Sequence, residues 1–128
     1  MIFSAIIPIR PSPKERPLVL KLGRTVTRKK TLQATNDLKK FYLCQYQGVP
    51  ISDPCHLDLK FVYARPKSWP KKRDQFWHIS TPDIDNLAKL VMDSMNKIIV
   101  KDDSVICKLS CEKFYGERDE IRVKLRSM

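Results

Sequence analysis

Lys and Arg outnumber Asp and Glu by 25 to 14 in this chain, and against that excess two short acidic runs stand out: Asp83-Ile84-Asp85-Asn86 and Lys101-Asp102-Asp103. Hard divalent cations such as Mg²⁺ take carboxylate oxygens in near-octahedral geometry and keep several waters, so two or three converging Asp side chains suffice for a site. Asp83 and Asp85 can face one point if the backbone at Asp83 is still extended when the helix begins, and Asp103, at a strand start, is the candidate third ligand. Each acid also has an ordinary alternative. Asp at a helix N-cap or in its first turn is favoured by free amides and by the macrodipole, and Asp102-Asp103 reads equally as an acidic turn. Lys89 follows Asp85 by four positions, a step at which an ion pair on a helix surface contributes a few tenths of a kcal/mol. Beside a metal and a phosphate the same ammonium can offset charge developing on phosphorus or on the leaving oxygen. Asp93 continues that face as an expected partner for Lys89 or Lys97.

The elements that must position these groups follow from periodicity. Ile84, Leu87, Ala88, Val91, Met95, Ile98 and Ile99 recur at three- and four-residue steps and predict a helix over Asp85–Ile99, with Pro82 just before it. A second helix is expected over Leu32–Tyr46, with Ala34, Leu38, Phe41 and Gln45 on one side, stopped by Gly48 and Pro50. Strands are expected from Ile2 to Ile9, through Leu57, Leu59, Phe61 and Tyr63, and in two runs after the strong helix: Val105–Cys111 and Ile121–Leu125. The last two are read as a hairpin through Tyr115-Gly116-Glu117. The order β, α, β, α, β, β implies a two-layer α+β domain, a mixed sheet with both helices on one face. Between Lys67 and Ser80 there is no apolar period; Lys71, Lys72 and Arg73 interleave with Trp69, Phe76 and Trp77, as expected of a mobile DNA-facing loop. Packing of those aromatics on the core or on a partner subunit reads equally well.

At 128 residues the chain has room for one domain, spanning 1–128, which must carry both binding and chemistry. A formal charge of +11 points to a polyanionic partner, since neutralising phosphates and releasing their counterions offsets the self-repulsion. Cys44, Cys55, Cys107 and Cys111 form no C-x-x-C pair, and Cys107 and Cys111 lie roughly 13 Å apart at strand rise, too far to bridge. All four are expected to be small core residues of a reduced, cytosolic protein. His56 and His78 lack zinc spacing. No apolar run reaches the length of a membrane span, so a cytoplasmic protein without membrane contact is expected.

The run Asp83-Ile84-Asp85-Asn86-Leu87-Ala88-Lys89, then Asp93, then Asp102-Asp103-Ser104-Val105 resembles the D-x-D-N-x-x-K…D-D core of RusA-type Holliday junction resolvases. Pro13-Lys14-Glu15-Arg16-Pro17 and Gly23-Arg24-Thr25 through Lys29-Lys30-Thr31 resemble the same family, so the likeness covers nearly the whole chain, with the acidic core its most specific part. The resemblance implies that Asp83, Asp85 and Asp103 bind Mg²⁺, with Mn²⁺ as the alternative, and that Lys89 is catalytic. It also implies a homodimer whose two active sites nick opposing strands of a four-way DNA junction. Lys14, Arg16, Arg24, Lys29, Lys30, Lys71, Lys72 and Arg73 are the expected DNA contacts. Thr81-Pro82 stands where the family often has a basic residue, and Leu18 where a second arginine is common; both departures bear on junction selectivity and cutting sequence. The expected function is junction resolution in recombination and repair. A flap- or fork-selective nuclease, and a non-catalytic nucleic-acid-binding module whose acids are helix caps, are the competing readings.

Overall fold

Alternation along β4 (Cys55–Ala64) makes it the strand on which the rest is built. Cys55, Leu57, Leu59, Phe61 and Tyr63 are all buried and point to one face, as period 2 requires. Both edges of β4 are occupied in the computed structural model, which describes residues 2–128. On one side runs β6 (Glu120–Ser127), antiparallel, with Leu57 opposite Leu125 and Phe61 opposite Ile121. On the other runs β5 (Ile106–Gly116), parallel, with Leu59 opposite Cys111 and Phe61 opposite Lys113. The strand β1 (Phe3–Ile7) closes the far edge against β6, giving a mixed sheet in the order β1-β6-β4-β5. A separate ribbon pairs β2 (Leu18–Val19) with β3 (Thr25–Val26), around a turn where Leu22 and Gly23 both adopt φ of 75°.

Two helices, α1 (Lys29–Gln45) and α2 (Ile84–Met95), cover the buried side of the sheet and share its core. They contribute Ala34, Leu38 and Tyr42 from α1, and Leu87, Ala88, Leu90, Val91 and Met95 from α2. Where they meet, the Ser94 and Tyr42 hydroxyls lie 3.2 Å apart with no water access, and burial pushes the Tyr42 phenol up to about 12. The opposite face of the sheet is open, a shallow concavity of about 250 Å³ beside Ile6, Asp58, Lys60, Arg122 and Lys124. The chain is thus the two-layer α+β fold that the element order implied, with the small ribbon added.

Several local expectations are corrected. The last two strands form no hairpin, because β4 lies between them. Gly116 ends β5 level with Ala64, residues 117–119 cross over the end of β4, and Asp119 accepts the Ala64 amide at 2.8 Å. A turn signal shows where the chain reverses but not which edge it finds, and two free edges of the apolar β4 outcompete one hairpin. At Gly116 a Cβ would sit 2.6 Å from Val62 Cγ1, so the crossing needs a glycine. The helix α1 begins at Lys29, placing Lys29 and Lys30 in its first turn, and its buried stripe runs through Thr31, Ala34, Leu38 and Tyr42 rather than to Gln45. The helix α2 stops at Met95, with Lys97 at φ 67°, while Ile99 and Val100 return their amides to the Met95 carbonyl and stay buried. Helical spacing therefore outlasts the helix.

The cysteines also divide differently. Cys55 is buried and Cys111 half-buried, but Cys44 and Cys107 are exposed; all four thiols are free. Cys107 occupies a register shift where Cys55 faces Ile106 and His56 faces Lys108, so it leaves the apolar face that alternation assigned it. No described helix is long and apolar enough to cross a membrane.

Candidate active site

Pro82 ends the irregular segment before α2, and the backbone at Asp83 is still extended, φ −70° and ψ 144°. Its carbonyl accepts the first helical bond, from Leu87 at 3.2 Å, while its carboxylate makes no capping bond. Asp85 lies in the first turn of the helix, and both side chains reach solvent. The second acidic run divides its labour. Asp102 caps the short turn Asp103–Val105, accepting the Ser104 amide at 3.0 Å, and hydrogen bonds from Ser104 hold its carboxyl below the usual range. Asp103 is half-buried and makes no such bond.

Asp85 stands on the wall between two concavities. One, of about 650 Å³, is also bordered by Asp83, Trp77, Glu112 and Lys113; the other, of about 210 Å³, by Lys89, Asp93, Asp103 and Leu109. Asp83 thus borders only the first, Asp103 only the second and Asp85 both, and among the described residues no three His, Cys, Asp or Glu side chains converge on a single point. The donor chemistry nonetheless suits a hard cation. The oxygens are carboxylates, and the thiol at hand, Cys111, is raised to about 11 by burial and so stays protonated and a poor ligand. Burial, with the charge of Lys113 adding to it, pushes His78 below the ordinary imidazole value and favours its neutral form.

Asp93 does not pair with Lys89 or Lys97. Lys14 takes it, with Nζ 2.5 Å from Oδ2, while the Lys14 amide donates to the Asn86 carbonyl at 3.0 Å. This ties the proline-rich N-terminal segment along α2 and leaves Lys89 without an ion pair among the described residues.

The profile of the endodeoxyribonuclease RusA family matches residues 8–126. This chain belongs to the RusA family. It is 34% identical over 86 residues to an uncharacterised protein, YqaN, of Bacillus subtilis, covering 61% of each chain. It is 37% identical over 73 residues to a crossover junction endodeoxyribonuclease, rusA, of Lactococcus phage r1t, covering 56% of this chain and 53% of that one. The alignments thus span less than two thirds of either relative.

Around this RusA-family acidic surface the basic residues fall into distinct places. Lys30 borders a concavity of about 670 Å³ with Arg10, Ser12, Tyr63, Thr81 and Pro82, against the chain leading into Asp83. Arg16, Arg24 and Lys29 are exposed near the N-terminal ribbon and the start of α1. Lys14 is half-buried in its pair with Asp93. Lys71 and Lys72 are exposed, and the Arg73 guanidinium lies 3.7 Å above the Trp69 ring.

The segment that holds them is tied to the edge of the sheet. Trp77 bridges to Phe114, Tyr115 donates its amide to the Phe76 carbonyl, and His78 donates to Lys113. Phe76 stacks on Phe114 and Trp69 packs edge-on against Tyr115. The aromatics thus pack on β5, while Trp77 also borders the Asp83 and Asp85 concavity. Glu112 and Lys113, which border the same concavity as Asp83 and Asp85, were missed by sequence reasoning. Glu112 and Lys113 read as an ordinary charged stretch of strand, and only the parallel placement of β5 beside β4 brings them there.

Proposed function

We propose that this chain is a divalent-metal-dependent endodeoxyribonuclease acting on branched DNA, and that it resolves four-way junctions by paired nicks in opposing strands during recombination and repair. The observation that supports this best is that Asp83, Asp85, Asp103 and Lys89 border two concavities that share Asp85, with neither Asp83 nor Asp103 used as a cap and Lys89 without an ion pair among the described residues. Asp83, Asp85 and Asp103 hold the cation, and Lys89 faces the phosphate. Bound there, Mg²⁺, or Mn²⁺ with the same preference for oxygen, supplies Lewis acidity to the phosphoryl oxygens and to the attacking water. Water attacks phosphorus, one ester P–O bond breaks, and the Lys89 ammonium offsets the negative charge that grows on the transferred group. A panel of four-way junction, fork, flap and linear duplex tests the reading, since only the first should be cut in symmetric pairs.

Symmetric cutting needs two acidic surfaces, and one chain has one, so the working unit is a C2 homodimer. Sedimentation at micromolar concentration should give twice the chain mass; a strict monomer making paired symmetric nicks contradicts this. Relatives in a bacterium and a phage support a cytoplasmic location for the enzyme.

Arg16, Lys29 and Lys30 are assigned to the DNA backbone. The logarithm of junction affinity should then fall linearly with the logarithm of salt, and neutralising any one of the three should reduce the slope by about one unit. An unchanged slope returns that residue to the solvated surface.

A further inference from the structure

We infer that Lys113 is a positioning residue that fixes Asp83, by gripping the chain ahead of α2 at three points. Its Nζ donates to the carbonyls of Ser80 and of Pro82, each at 2.7 Å, and its own carbonyl accepts the His78 amide at 3.1 Å. Lys113 is itself held in the parallel ladder opposite Phe61, a fully buried residue of the central strand, so the grip is anchored to the core of the sheet. The stretch from Ile79 to Pro82 belongs to no helix or strand, and Pro82 immediately precedes Asp83. Rotation of the Pro82 carbonyl turns the peptide plane that carries Asp83, so whatever holds that carbonyl sets where the carboxylate points. The ammonium directs two of its three donors at these carbonyls, which marks it as a support for the chain rather than a phosphate contact. Groups of this kind behind a metal ligand typically alter metal affinity or activity by about 10- to 100-fold.

The inference rests on the reading of Asp83 as a ligand, and the sign of the effect tests it. If Lys113 acted only through its charge beside Asp83, Asp85 and Glu112, its removal would tighten cation binding by relieving repulsion. A positioning role predicts the reverse. Tb³⁺ can be titrated into the purified chain without DNA and read by luminescence excited through Trp77, which borders the same concavity. Lys113→Met, shown to be folded by circular dichroism, should bind Tb³⁺ about 10-fold more weakly. Lys113→Arg, whose guanidinium can still donate to both carbonyls, should recover most of that loss. Wild-type or tighter binding by Lys113→Met overturns the proposal, as does an equal loss in Lys113→Arg. Asp83→Asn run alongside separates the two levels. If it leaves Tb³⁺ affinity unchanged, the ligand reading falls and the role of Lys113 with it; if it weakens binding while Lys113→Met does not, only the role of Lys113 falls.

Discussion

Asp85→Asn should lower single-turnover junction cleavage by about three orders of magnitude, equivalent to roughly 4 kcal/mol in the barrier. Asn keeps the size and one hydrogen-bonding oxygen, so a purely structural role in the first turn of α2 survives the change. The loss of a favourable charge at a helix N-terminus costs under about 1 kcal/mol, too little to account for such a drop. An anionic ligand is different: without it the cation is held less firmly and polarises water and phosphate less. Junction binding measured without metal should persist or tighten, because a negative charge has been removed from beside the DNA phosphates. Asp85 borders both concavities, so its loss should be at least as severe as that of Asp83→Asn or Asp103→Asn. Near-normal cleavage by folded Asp85→Asn would mean that the residue is an ordinary first-turn acid.

Lys89→Ala should slow the chemical step about 100-fold, the lower end of what removing an oriented donor from a developing oxyanion costs, since the side chain is solvent-exposed. Metal affinity should stay within a few-fold of wild type, in contrast to the Asp variants. Lys14 occupies Asp93, so among the described residues Lys89 has no ion pair to lose, and thermal stability should barely change. The rate deficit should persist at saturating metal and saturating DNA. If raising the metal concentration restores the rate, Lys89 acts on cation binding instead of on the transition state.

What was legible in the sequence follows from which interactions are local. The two long helices and β4 were readable because each buries one face at its own period; the extended backbone at Asp83 was only a condition in the sequence, and the structure meets it. Edge choice was not readable. β5 and β6 look like partners along the chain, but both are drawn to the apolar β4, and that tertiary preference decided the sheet order. The same long-range placement hid Glu112 and Lys113, whose proximity to the acids depends on the parallel pairing of β5 with β4. Asp93 was readable as a paired acid but not as the partner of Lys14, because that contact joins segments far apart in sequence. Cys107 was misplaced by a single register shift, which inverts a face without changing composition.

The central claim is tested most directly by incubating the purified chain with a four-way junction, a fork, a flap and a linear duplex of shared sequence, with and without Mg²⁺, and mapping nicks on every strand. The account predicts no cutting without a divalent cation, paired nicks at symmetric positions in opposing strands of the junction with Mg²⁺, and little or no cutting of the duplex. Preferential cutting of the fork or flap would contradict junction resolution, and binding to all four substrates without metal-dependent cleavage of any would contradict the nuclease itself.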